Sequence, residues 1–279
     1  MALIDMGVTK SDLIVTFANN SIDYAIVLFA SIWLGVTLYP VTPIANIYDL
    51  EVLFKSLDSF VLITSQSKVE IIERVLKKHN ELKLKNVIVL DGSTDKYKTF
   101  DNLVEAGNNR KVPQIPYFKV DPLKDLFVLL QSSGTSGVPK SVMISHRAFL
   151  STILNFMTSK IVENPVTAHV TPFGCISGVT FLFSYIPLGI PIVIYNQFSE
   201  QLILESIPKY KVSFMYFTPI FGYKLIDEEV VKKYDLSSLK HLFTGGSALP
   251  ENVGKAIVRK HKVVLNECIY HFNELVQYF

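Results

Sequence analysis

Gln131-Ser132-Ser133-Gly134-Thr135-Ser136-Gly137-Val138-Pro139-Lys140-Ser141 lies between two apolar runs, 126–130 and 142–144. Glycine lets a backbone approach a ligand closely and adopt positive φ, so successive N–H groups can converge into an anion-binding nest. The hydroxyls add further donors, and Lys140 adds a mobile point charge suited to phosphate. The stretch is not a Walker A loop, which needs glycine directly before the lysine and a helix opening there. Here Pro139 precedes Lys140, the following residues are β-like, and Ser145 is placed to cap a helix beginning near His146. Strand, phosphate loop, strand is the expected geometry, within an α/β fold.

The totals narrow the class. The 279 residues suffice for a large core and two subdomains. With 49% apolar and only 19% charged residues, long disorder is excluded. A net charge of +2 without a basic block gives no footprint for nucleic acid. Cys175 and Cys268 form neither a disulfide framework nor a CxxC metal pair, which points to a reducing, intracellular and cytoplasmic setting. The apolar run at 24–41 reaches Pro40 after about fifteen residues, short of the roughly 20 that a spanning helix needs. The run at 176–195 is broken by Pro187, Gly189 and Pro191, so no transmembrane segment is expected.

Read in order, strands are expected at 13–17, 38–39, 61–64 and 86–90. Helices are expected at 21–34, capped by Ser21 and stopped by Gly35, and at 49–57 and 68–79. This alternation is that of a parallel, doubly wound sheet. The polar stretch 91–122 carries Gly92, Gly107 and three prolines, so 1–107 is expected to be a first α/β subdomain and 108–122 a linker. A second α/β segment, 123–279, then holds the phosphate loop, with further strands at 168–170, 192–195, 212–217 and 239–243. Its helices are expected at 146–159, at 179–186 after a loop over 172–178, and at 201–209, 219–226 and 251–261.

Together these stretches resemble the AMP-forming acyl-adenylating enzymes: acyl-CoA synthetases, coumarate-CoA ligases and luciferases. Their loop reads S-S-G-[ST]-T-G-x-P-K-G-V, often followed by Ser-His-Arg. Ser132 to Lys140 and Ser145-His146-Arg147 match it, with Ser136 for threonine and Ser141 for glycine. Asp235-Leu236-Ser237-Ser238-Leu239 and Gly245-Gly246-Ser247-Ala248-Leu249 are similar to the family's D-L-S-x-L and G-G-A-P-L. The resemblance implies two doubly wound subdomains from the large N-terminal part of such an enzyme, an incomplete synthetase domain over 1–279. It implies activation of a fatty or aromatic carboxylic acid by ATP with Mg²⁺, then transfer to coenzyme A. Ser132, Ser133, Gly134, Thr135, Ser136, Gly137 and Lys140 would hold the ATP phosphates. Gly246, Ser247, Ala248 and Tyr270 would hold adenine, Asn273 the α-phosphate and Glu274 the metal. Cys175, Ser177 and Gly178 would line the acyl pocket.

The departures from the family pattern are informative. Its Y-G-x-T-E becomes Tyr270-His271-Phe272-Asn273-Glu274, which puts a ring where the backbone passes the nucleotide. The luciferase P-F-H-H-x-F-G becomes Pro172-Phe173-Gly174-Cys175-Ile176-Ser177-Gly178, so both histidines are gone. By the same resemblance the ribose-binding aspartate and arginine, and a small C-terminal domain with a catalytic lysine, lie beyond Phe279. The final tripeptide is not a peroxisomal signal. Two expectations follow: acid activation impaired by truncation, or a non-catalytic remnant or short isoform that binds nucleotide weakly or pairs with a full-length relative.

Overall fold

The computed structural model describes residues 2–108, 118–131, 141–157 and 163–268. The chain divides into two compact units, Met1–Phe149 with Pro172–Ile176, and Leu150–Thr171 with Ser177–Phe279.

The first unit begins with helix α1 (Ala2–Asp5), strand β1 (Leu13–Phe17), helix α2 (Ile22–Trp33) and strand β2 (Thr37–Pro40). The Ser21 side chain accepts from the Tyr24 amide at 3.0 Å, capping α2, and Gly35 stops the helix at φ +66. Helix α3 (Ile47–Lys55) opens with a reciprocal Asn46–Asp49 capping box. Then follow β3 (Phe60–Thr64), α4 (Val69–Lys78), β4 (Leu84–Val89), β5 (Lys98–Thr99), α5 (Phe100–Asn108), β6 (Leu126–Gln131), β7 (Ser141–Ser145) and α6 (His146–Met157). They build a seven-stranded sheet in the order β5-β4-β3-β1-β2-β6-β7. Among the described residues only the β6–β7 pair of this sheet is antiparallel. Strand β3 is buried at every position, as a strand covered on both faces requires.

The unit boundary falls at Phe149, not in the 108–122 stretch. Strand β6 pairs with β2 through Leu38 and Val128, and β7 pairs with β6, so both extend the first sheet. The polar stretch after Asp91 also holds β5 and α5, whose Phe100, Leu103 and Val104 repeat at helical spacing.

The second unit contains β8 (Thr167–His169), α7 (Ile176–Tyr185), β9 (Ile192–Ile194), α8 (Glu200–Tyr210), β10 (Phe214–Phe217), α9 (Pro219–Ile226), α10 (Glu228–Val231), β11 (His241–Gly245), α11 (Glu251–His261) and β12 (Val264–Cys268). Its five strands are all parallel, in the order β12-β11-β10-β8-β9. Side chains alternate along β10 and split between two cores. Met215 and Phe217 pack with Ile203, Phe221 and Ile257 from α8, α9 and α11. Phe214 and Tyr216 pack with Phe181 and Tyr185 from α7. Helices therefore cover both faces of this sheet. Among the described residues no helix is long and apolar enough to cross a membrane.

Candidate functional site

The two strands expected to flank the phosphate loop are present, they pair antiparallel, and their ladder closes on Gln131 opposite Ser141. Ser132, Ser133, Gly134, Thr135, Ser136, Gly137 and Lys140 lie outside the described residues. Their flanks have an anchor that sequence reasoning missed. The Tyr39 hydroxyl in β2 hydrogen-bonds the Ser141 hydroxyl and the Gln131 side chain, one on each side of the loop. Burial pushes the Tyr39 hydroxyl above the usual phenol range, against those two bonds. Ser141, standing where the resembled family has glycine, was the sequence signal: a new hydroxyl next to a core strand wants a partner. Below the loop, the Ser145 hydroxyl accepts from the Ala148 amide at 3.3 Å and caps α6. His146 packs edge-on to Phe127 at 5.3 Å, and burial lowers its pKa.

The 172–176 segment is part of the first unit. Phe173 is fully buried, its amide donates to Asn20 Oδ1 at 2.7 Å, and its ring meets Tyr24 edge-on at 5.4 Å. Gly174 crosses the chain at Val41 with no room for a side chain. A Cβ there would lie 2.2 Å from the Val41 carbonyl oxygen and 2.8 Å from Thr42 Cα. The Cys175 thiol is pushed up by burial, against a hydrogen bond with Thr42, so it stays protonated and is a packing residue, not a nucleophile. Ser177 and Gly178 open α7 in the second unit. The three predicted acyl-pocket residues thus fall in two units.

In the second unit, Gly246, Ser247 and Ala248 leave the C-terminal end of β11 exposed, while Leu249 behind them is buried. Gly246 has φ +85, which an L side chain rarely adopts. Leu249 is seated against Gly222 and Gly254, where added Cβ atoms would come within 3.2 and 3.4 Å of its methyl groups. The result is an exposed, sharply turned backbone at the carboxyl end of a parallel strand, the usual place for a ligand in an open α/β sheet. Upstream, Asp235 accepts from the Ser237 amide at 3.0 Å and the Ser238 hydroxyl donates to the Val212 carbonyl at 2.8 Å, so that D-L-S stretch is a structural turn.

One ring pair connects two of the predicted sites within this unit. A Cβ on Gly246 would lie 3.7 Å from the Tyr216 hydroxyl, and the Tyr216 ring lies 4.9 Å from that of Phe181. Phe181 stands one helical turn beyond Gly178 on α7. Behind them, His169 is fully buried and its pKa is pushed down to about 3 by burial, so it is neutral. Tyr270, Asn273 and Glu274 lie outside the described residues. Among the described residues no three His, Cys, Asp or Glu side chains converge as a metal site needs.

The AMP-binding enzyme family profile matches residues 1–269. The chain is 26% identical over 270 residues to a luciferin 4-monooxygenase of Photuris pensylvanica, covering 92% of this chain and 48% of that protein. It is 31% identical over 234 residues to Probable 4-coumarate–CoA ligase 1 of Dictyostelium discoideum, covering 82% and 39%. The fold matches a natural red-emitting luciferase from Phrixothrix hirtus with a TM-score of 0.84 at 22% identity, covering 94% of this chain and 51% of that one. The chain thus spans half or less of the length of these curated relatives. Profile, relatives and two-sheet architecture agree, and this chain belongs to the AMP-binding enzyme family.

Proposed function

We propose that the chain serves the ATP-dependent activation of a carboxylic acid. The acid's carboxylate oxygen attacks the α-phosphorus of ATP, the bond to the pyrophosphate oxygen breaks, and acyl-adenylate forms. The thiol of coenzyme A then displaces AMP to give the thioester. The observation that carries this reading is the exposed turn Gly246-Ser247-Ala248 at the end of β11, in a chain matched by an AMP-binding profile over 1–269. There the exposed backbone is open to a nucleotide base.

In this reading Ser132, Ser133, Gly134, Thr135, Ser136, Gly137 and Lys140 neutralise and orient the departing pyrophosphate. That is the positioning and charge stabilisation on which such a displacement depends. Tyr270, Asn273 and Glu274 keep their proposed places beside adenine, the α-phosphate and Mg²⁺, the ion that accompanies ATP. The missing histidines at 174 and 175 favour thioester formation over luciferin oxygenation.

Pyrophosphate–ATP exchange over a panel of fatty and aromatic acids tests the proposal. The expected result is exchange that depends on the acid and falls at least tenfold in Lys140→Ala. Absence of exchange with every acid, together with no rise in melting temperature on adding ATP, would refute it.

A further inference from the structure

We propose that the β12 edge of the second unit, with the groove beside it, is a docking surface for a second copy of this chain. The two copies join β12 to β12, antiparallel, across a two-fold axis normal to the sheet, so that the two sheets run on as one.

Among the described residues β12 ends its sheet, with β11 on one side. The Val264 amide donates inward, to the Lys240 carbonyl at 2.9 Å. Successive amides of a strand point to opposite sides, so those of Leu265 and Glu267 point outward, away from β11. A row of outward donors and acceptors is a template for a further strand. Sheet edges are usually blunted by proline, lysine or a bulge, and β12 has none of these. Its sequence is Val-Leu-Asn-Glu-Cys, and its register with β11 is unbroken from Val264 to Cys268.

Between β12 and α11 lies an open groove of about 530 Å³. Gly254, Val258 and Leu265 give it an apolar floor, and Val258 is 40% exposed. A strand added beside β12 closes the open side of this groove, so backbone pairing and apolar burial act together, as in other cases of strand addition.

Charge selects the added strand. Helix α11 runs back against the strands, from Glu251 at the carboxyl end of the sheet to His261 at the other. Glu267 stands opposite Thr244, at the carboxyl end of β11. Within α11, Lys255 pairs with Glu251 at 2.6 Å. That leaves Glu267 and Arg259 as charges of opposite sign towards the two ends of the groove. A two-fold axis normal to the sheet sets the acidic end of one groove against the basic end of the other, and does so twice. Parallel pairing of the same strands would set Glu267 beside Glu267 and Arg259 beside Arg259, which is unfavourable. A five-residue strand and one helix face make a contact at the low end of the ~1,200–2,000 Å² class, so the dimer is a micromolar one.

The experiment is sedimentation equilibrium of the full chain over a concentration series, with amide exchange read at the lowest and highest concentrations. Wild type is expected to dimerise reversibly with a micromolar Kd, and the Leu265 and Glu267 amides should gain protection as the dimer fills. Arg259 and Glu267 are both exposed, so reversing either charge leaves the fold intact. Arg259→Glu and Glu267→Arg should each weaken dimerisation at least tenfold, and the two combined in one chain should bring it back to within threefold of wild type. Glu267→Pro removes an outward amide and keeps the inward ladder, and it too should weaken dimerisation at least tenfold. A monomer at every concentration overturns the inference. So does a dimer whose Kd is unchanged in all three single variants, because it is then built on another surface. Protection of the Leu265 and Glu267 amides that is complete at the lowest concentration assigns the edge to another segment of the same chain, and likewise overturns it.

Discussion

Gly174→Ala is expected to be the most damaging conservative change in the first unit. The added Cβ would sit 2.2 Å from the Val41 carbonyl oxygen, 2.6 Å from its carbon and 2.8 Å from Thr42 Cα, all of them backbone atoms. Ordinary carbon contacts lie near ~3.5–4.0 Å, so the 172–176 segment and the Val41–Thr42 backbone must separate by more than about 1 Å. That movement unseats Phe173, whose complete removal would cost about 3–5 kcal/mol, and strains its amide hydrogen bond to Asn20, worth about 1 kcal/mol. Partial loss of both gives an expected destabilisation of about 2–4 kcal/mol. For a unit of this size that corresponds to a fall of roughly 4–16 °C in its transition. Differential scanning calorimetry reads this directly, and Gly107→Ala is the control. Gly107 lies in α5 with open space around its Cα and an ordinary φ, so alanine there should be neutral or slightly stabilising. If Gly174→Ala melts within 1 °C of wild type, the close approach at Val41 does not exist and the clasp is misread.

Three further outcomes are expected. Tyr39→Phe removes the hydroxyl that joins Ser141 to Gln131, so amide exchange at Gln131 and Ser141 should rise several-fold while global stability falls by only about 1 kcal/mol. Unchanged exchange at both amides would count against the anchor. Burial pushes the carboxyl of Asp12 up, but hydrogen bonds from Lys85, Ser59 and Thr9 outweigh this and bring its pKa down to about 2. A folded pKa below the unfolded one adds stability above about pH 4, on the order of 2 kcal/mol, lost as pH falls through 2. Asp12→Asn should therefore lower stability at neutral pH and flatten the acid limb of a urea titration between pH 4 and 2; an unchanged limb would contradict the network. His169 is held neutral with a pKa near 3, so the unfolded chain binds a proton that the folded chain does not between about pH 6.5 and 3. Stability is full above that window and declines as pH falls through it. His169→Phe should remove that slope, and a pH profile identical to wild type would exclude the assignment.

Much of the fold was written in local pattern. Ser21 with Gly35 bounded α2, and the 219–226 and 251–261 helices coincide with α9 and α11. A strand on each side of the glycine loop followed from Pro139, which ruled out a helix opening at Lys140; that the two pair antiparallel came from the structure. Pairing between distant strands was not legible. Nothing near residue 128 says that it will sit beside Leu38, and β6 and β7 join the first sheet through that pairing. Helix α5 was hidden because its apolar residues are few in a polar stretch, although their spacing was there to read. At the candidate site, the turn Gly246-Ser247-Ala248 was named from its likeness to the family's G-G-A-P-L, and it lies exposed at the end of β11. Tyr39 was not, since a tyrosine in a core strand looks the same whether or not its hydroxyl ties down a loop. Cys175 and Gly178, three residues apart, were grouped as one pocket, and only the tertiary structure assigns them to different units.

Strand order and chain order disagree in the first unit, and this bears on how the protein is made. All seven strands of its sheet have been synthesised once Ser145 is added, yet the seat formed by Asn20, Tyr24 and Val41 is still missing Phe173 and Gly174. Those residues arrive only after 150–171, which belong to the other unit. At ~5–20 residues per second the delay is roughly 1–6 s, far longer than the microseconds that collapse requires. During each round of translation an almost finished sheet therefore waits with an aromatic-sized hollow open to solvent. In that interval a chaperone could recognise it, and a slowed codon between 150 and 171 would lengthen the exposure.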